Sequence, residues 1–202
     1  MLTFYLLKGR IRFMNNNKNT AKLILDTAQE LVQEFGFNGF SYAHIAERVG
    51  IRTASIHYHF PNKEDLGEAL ITRYHSEFVA AIAQIDAETQ NNLEKIRKYV
   101  MIFSIPVNTY CTCLSVMFSS DLATLSEKIR EKLSAFFTAN LAWVAKVLEQ
   151  GRSEGHLRFE GNAEEQAHRI LASLQGAQLL ARTFKDASRF NMIAESVISA
   201  LI

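Results

Sequence analysis

The sequence is short of the residues that interrupt helices. It holds nine glycines and two prolines in 202 residues, under half of the roughly 12% usual for globular chains. Both residue types disfavour helix interiors, so long helices are expected and a turn-rich sandwich or barrel is excluded. Cysteine is nearly absent. Cys111 and Cys113 cannot build a disulfide framework, which points to a reducing cytoplasm. No internal repeat is visible, and no low-complexity tract beyond the asparagines at 15–17.

Further absences narrow the function. A secretory leader carries its charges before its apolar stretch, whereas MLTFYLLKGRIRF places Lys8, Arg10 and Arg12 after it. That start reads either as a basic arm reaching toward DNA or as an extension upstream of a true start at Met14. Residues 99–120 contain no charge and are long enough to cross a bilayer. Pro106, Asn108 and the surrounding serines and threonines argue against a span, so this stretch is expected to be buried, as core or as the wall of an apolar cavity. His75, His156 and His168 have no partners at ligand spacing, and Cys111-x-Cys113 lacks a third ligand, so no metal is expected. No nucleophile has a base at readable spacing and no phosphate-binding loop is present. The chain is therefore not expected to be an enzyme or to hold a cofactor.

What is present describes a globular protein, with 48% hydrophobic and 21% charged residues. The net charge of +1 hides an excess of four positive charges over residues 1–63, which suits a polyanionic partner. A first helix is expected from Thr20, with Ile24, Ala28, Leu31 and Phe35 inward and Gly36 and Gly39 at its end. Ser41 can cap a second helix carrying Ile45, Ala46 and Val49, which Gly50 stops. A third runs over Ala54–Phe60 with Ile56 and Phe60 on one face. Asn62 and Asp65 form a capping pair for a long fourth helix. Later, Ser126 heads a helix with the stripe Ile129, Leu133, Phe137, Leu141, Val144 and Leu148. Asn162 with Glu165 heads another with Ile170, Leu174, Ala177, Ala181 and Phe184 inward.

Residues 41–60, SYAHIAERVGIRTASIHYHF, have the anatomy of a helix-turn-helix. Two short helices crossing closely need a small residue at the contact, Ala46, and a glycine able to take positive φ, Gly50. Ile45, Val49, Ile51 and Ile56 fill the wedge. Arg52, Thr53, Ser55, His57, Tyr58 and His59 are left for the outer face, a donor-rich set suited to the major groove. His44 is expected to be a satisfied surface or packing histidine.

The stretch from Thr20 to Leu70 resembles the TetR family of bacterial transcriptional regulators. The likeness lies in the helix ending at Gly36-Phe37, in Ile45-Ala46, in Gly50-Ile51 and in the run Tyr58-His59-Phe60-Pro61-Asn62-Lys63-Glu64. The resemblance implies an all-α fold with an N-terminal helix-turn-helix DNA-binding head and a C-terminal helical ligand-binding and dimerisation body. It implies phosphate contacts from Ser41, Tyr42, Tyr58, His59 and Lys63. The family usually has Tyr where His57 stands, an aromatic that helps seat the recognition helix.

Beyond residue 70 the segments CLSVMFSSDLATLSEKIREKL and EQGRSEGHL resemble one branch of the family, with a Cys-Leu pair at Cys113-Leu114. Cys113 is either a small buried hydrophobe or a thiol that senses electrophiles or oxidants. Phe103, Tyr110, Cys113, Met117, Phe118 and Trp143 are the candidates for an effector pocket, with Asn108, Thr109 and Thr112 as polar contacts. Small residues (Ala172, Ser173, Gly176, Ala177 and Ala181) suggest a close helix-to-helix dimer interface. The expected organisation is an extension over 1–17, the DNA-binding head over 18–66 and the effector and dimer body over 67–202. The expected function is a cytoplasmic, homodimeric repressor, released from a palindromic DNA operator by a small apolar or electrophilic effector. The alternative is a small-molecule or lipid carrier that no longer binds DNA.

Overall fold

A computed structural model describes residues 17–109 and 111–202. Among these residues the chain forms nine α-helices and no strand: α1 (Asn17–Phe35), α2 (Tyr42–Val49), α3 (Thr53–His59), α4 (Lys63–Glu88), α5 (Asn92–Ser104), α6 (Leu114–Ser120), α7 (Glu127–Ser153), α8 (Ala163–Phe184) and α9 (Ser188–Ser199). The all-α expectation holds. The basic start, Met14 and Tyr110 lie outside the described residues.

Local chemistry sets the helix boundaries. The Asn62 carboxamide accepts from the Asp65 N–H at 2.9 Å to open α4, and Asn162 accepts from Glu165 at 2.7 Å to open α8, each satisfying one of the free amides of a first turn. Gly50 ends α2 at φ +76°, a backbone conformation that a Cβ makes costly. Gly67 serves a different need, because a Cβ there would sit 2.8 Å from Ile129 Cδ1 and 2.9 Å from the Phe37 ring. Its bare backbone lets α4 cross close to α7.

Two apolar cores result. The head core joins α1, α2 and α3 with the first half of α4, α6 and the start of α7, through Ile24, Leu31, Ile45, Ile56, Phe118 and Ile129. The body core joins the rest of α4 with α5, α7, α8 and α9, through Phe78, Tyr99, Phe136, Val144, Leu174 and Phe190. Helix α4 runs unbroken through the expected boundary at 66/67, and Tyr74 packs against both cores.

Three stripes differ from expectation. Phe35 and Phe184 are exposed, at 52% and 55%, because Val32 and Ala181 take the inward positions in the last turns of their helices. On α7 the buried line passes through Phe136, Asn140, Trp143 and Val147, with Phe137 and Leu141 half-buried beside it. The charge-free stretch 99–120 is divided between the end of α5, a 3₁₀ turn at Pro106–Thr109 and α6. Its Tyr99, Thr112 and Leu114 are fully buried, and none of the described helices is long and apolar enough to cross a membrane.

Candidate functional site

A buried phenol on α2 ties that helix to the turn that follows α3. The Tyr42 hydroxyl donates toward the carbonyls of Phe60, at 2.9 Å, and of Asn62. Those two residues bracket the turn into α4, so a single phenol ties α2 to both ends of that turn. Burial and the nearby Asp65 charge push its pKa up to about 12. The polar end of Tyr42, expected at a phosphate, is here bonded inside the head.

His57 completes the seat. Its ring meets the Tyr42 ring edge-on, with centroids 4.8 Å apart, and its Nδ1 lies 3.0 Å from the Pro61 carbonyl. A carbonyl can only accept, so Nδ1 carries the proton and Nε2 is the free nitrogen. The histidine thus fills the tyrosine's seating position. His44 also acquires a definite task, since Ser41 N–H donates to its Nδ1 at 3.2 Å, closing the first turn of α2.

The outward face of α3 carries Arg52, Thr53 and Tyr58, all exposed, the last at 72%. Ser55 and His59 are half-buried at its flanks and Ser41 is exposed at the start of α2. With the exposed His57 these are the accessible side chains of the expected DNA-binding set, and Arg52 contributes the one guanidinium among them. Lys63, also expected at a phosphate, is turned away from them in this structure. Its ammonium donates to the Phe40 carbonyl and lies 4.3 Å over the Phe40 ring and 5.0 Å over the Phe37 ring, while burial lowers its pKa. Cation–π contact and the hydrogen bond hold it inward. Arg48 pairs with Glu34 at 2.6 Å and Lys22 with Asp26 at 2.7 Å. Among the described residues of the head, Arg52 is left without an acidic partner.

The expected effector residues separate into two groups. Phe103 and Trp143 flank Tyr99, at ring distances of 5.1 and 5.7 Å. Cys113 lies close enough to Tyr99 and Tyr74 for its charge to raise both their pKa values, after the larger effect of burial. Phe118 instead stacks on Phe37 at 4.9 Å in the head core. Met117 Sδ accepts from Arg182 at 3.2 Å, at the junction of head and body. Helix α6 thus packs on the head core from Leu114 to Phe118, apart from the rings around Tyr99.

Sequence reading missed the polar members of the first group. The Tyr99 hydroxyl donates to Asn140 Oδ1 at 2.7 Å. Gln178 donates to the Phe103 carbonyl at 2.7 Å and accepts from the Cys113 N–H at 3.0 Å. Asn140 and Gln178 are both 0% exposed, and a polar residue on an inward helical stripe is the signal that finds them. Burial pushes the Cys113 thiol up, against weaker opposing hydrogen bonds from Ser115 and its surroundings. A thiol held protonated is a poor nucleophile, which favours the buried-hydrophobe reading in this conformation.

The two regions are physically joined. Arg182 of α8 donates to the last carbonyls of α1, Gln33 at 3.2 Å and Glu34 at 2.6 Å. Gln33 Nε2 donates to the Thr112 carbonyl at 3.3 Å, and Asn38 binds Asp121 and Thr124. On α8 the expected small-residue interface divides too. Ala177 and Ala181 are buried in the subunit's own core, at 1% each, whereas Ala172 is exposed and Ser173 and Gly176 are half-exposed. Leu179, Leu180 and Phe184 of α8 and Met192 of α9 are exposed instead.

Comparison with known proteins agrees with this architecture. Residues 24–70 match the family described as bacterial regulatory proteins, tetR family, and residues 78–197 match the tetracyclin repressor-like C-terminal domain. The HTH-type transcriptional repressor NemR of Escherichia coli is 25% identical over 171 residues, covering 81% of this chain and 84% of that protein. A TetR-family transcriptional regulator from Agrobacterium tumefaciens superposes with a TM-score of 0.88 at 34% identity, over 92% of this chain and 99% of its own. A TetR regulator from Legionella pneumophila gives 0.82 at 31%, over 94% and 99%. From the head that bears α3 to the helical body that backs it, the chain belongs to the TetR family of ligand-responsive, DNA-binding transcriptional regulators.

Proposed function

We propose that this chain is a homodimeric repressor that grips a palindromic operator with one α3 per half-site and lets go when a small molecule enters its body core. The observation that carries the reading is the outer face of α3, where Arg52, Thr53 and Tyr58 are exposed above the Tyr42–His57 seat. A two-fold dimer sets two such faces at neighbouring turns of the duplex, roughly 34–36 Å apart or a multiple of that. Leu179, Leu180 and Phe184 of α8 and Met192 of α9 are large apolar side chains left exposed, and covering them supports an α8–α9 interface with a second copy.

The release step follows from linkage. An effector changes operator affinity only by binding two conformations unequally. The site we assign to it surrounds Tyr99, with Phe103, Cys113, Trp143, Asn140 and Gln178 as its walls. Thr112 and Cys113 connect those walls to α1 through Gln33 and to α8 through Gln178. A ligand that spreads them shifts the end of α1, and with it the head. The protein works in the cytoplasm, with Cys111 and Cys113 as free thiols.

Fluorescence anisotropy with DNA flanking its own gene, over a range of salt, tests the reading. Nanomolar, sequence-selective binding that weakens linearly in log salt is expected. Equal affinity for scrambled DNA, or none, overturns it in favour of a carrier.

A further inference from the structure

We infer that the effector is an uncharged molecule bearing a hydrogen-bond acceptor, such as a ketone or ester oxygen on a compact apolar frame, and that Asn140 is the residue that selects it. The inference rests on placing the effector site around Tyr99, as proposed above. Two observations carry it.

The first is an orphaned donor. Asn140 is 0% exposed and its Oδ1 takes the Tyr99 proton, yet its Nδ2 has no partner in the protein. A buried amide N–H without an acceptor is costly, and this one lies on the carboxamide that accepts the Tyr99 proton, where the Tyr99 ring packs against those of Phe103 and Trp143. The Tyr99 hydroxyl occupies the oxygen of the amide and leaves the nitrogen as the unmet donor. An incoming acceptor oxygen satisfies it; a hydrocarbon does not.

The second is the state of the neighbouring charges. Among the described residues, the ion pair hydrogen-bonded to these walls is Lys95 with Asp86, which hold each other at 2.8 Å, and Lys146 adds to the positive field at Asp86. Asp86 also accepts from Trp143 Nε1 at 3.0 Å. Although burial opposes it, these hydrogen bonds hold the Asp86 carboxyl below its ordinary range. Tyr74, Tyr99 and Cys113 are all held neutral by burial. A charged ligand among these walls has to break the Lys95–Asp86 pair or stay unpaired, and burying an unpaired charge is prohibitive. Neutrality and an acceptor are thus both demanded by the walls.

Trp143 is the sole tryptophan, so its indole N–H gives a single proton–nitrogen correlation in the spectrum of the intact protein. Four phenyl probes of similar size decide the matter: acetophenone, ethylbenzene, benzoate and phenethylammonium. The expected result is a saturable shift of that signal by acetophenone, with Kd about fivefold or more below that of ethylbenzene, the worth of one neutral hydrogen bond. The two ions are expected to bind at least about tenfold more weakly than acetophenone. Asn140→Leu is expected to abolish the ketone's advantage while ethylbenzene still binds, and the wild-type ratios stand by themselves if that variant does not fold. Equal binding of ketone and hydrocarbon, or a tighter ion, overturns the ligand class while leaving the site in place. No saturable shift from any of the four overturns the site as well.

Discussion

The hydroxyl of Tyr42 donates into the turn between α3 and α4, so Tyr42→Phe removes a buried anchor without leaving a cavity. The expected loss is about 1 kcal/mol in urea unfolding. Its pH dependence has a definite sign. The folded pKa is raised to about 12, so the neutral phenol's contribution is intact below the ordinary tyrosine value and lost as pH climbs from there through the folded one. The gap between wild type and Tyr42→Phe is therefore expected to narrow over that window; a constant gap contradicts the assignment. Cys113 makes a second case at this scale. It is 3% exposed with a raised pKa, so iodoacetamide at neutral pH is expected to modify Cys111 well before Cys113, with the difference vanishing in urea. Faster labelling of Cys113 would restore the thiol-sensor reading. Single residues were the least legible level in the sequence. The run around Tyr58 and Lys63 identifies the motif, but whether Lys63 reaches outward or turns onto Phe37 and Phe40 depends on rings brought in from the end of α1.

Helix boundaries were far more legible, because capping chemistry is local. Ser41, Gly50, Asn62 and Asn162 stand where the chain order put them. Inward stripes were read to within one position, and the misses at Phe35 and Phe184 fall in last turns, where the neighbouring element decides which side faces in. No sequence rule reveals the link between α8 and α1, since Arg182 and Gln33 are 149 positions apart. Its guanidinium sits against the carbonyl end of α1, where positive charge is favoured. Arg182→Ala is expected to destabilise the chain by about 1–3 kcal/mol. It should also speed amide exchange over residues 33–39 while the centre of α7 keeps its protection. Uniform loss of protection across both would show that Arg182 serves general stability rather than a head-to-body tie.

For the whole molecule, fold and family were evident before any coordinates, because fifty residues of the head agree in register with one pattern. The body was legible only as helices, and its polar heart around Tyr99, Asn140 and Gln178 came from three helices that no local pattern relates. Self-association is the property on which operator reading depends. Leu180→Glu sets a charge on the exposed apolar stripe of α8 and is expected to turn a dimer into a monomer in sedimentation, with operator affinity falling at least about a hundredfold as two-headed binding is lost. A stable dimer in that variant would move the interface elsewhere.

The most direct measurement is a hydroxyl-radical footprint of the wild-type protein on DNA flanking its own gene, with Arg52→Ala alongside. Two protected patches related by a two-fold axis are expected, centred about one helical turn or a multiple apart. In the variant the log-salt slope is expected to be shallower, by about one cationic contact per head. A single patch without symmetry, or a footprint and slope unchanged by Arg52→Ala, would contradict a two-headed grip through α3.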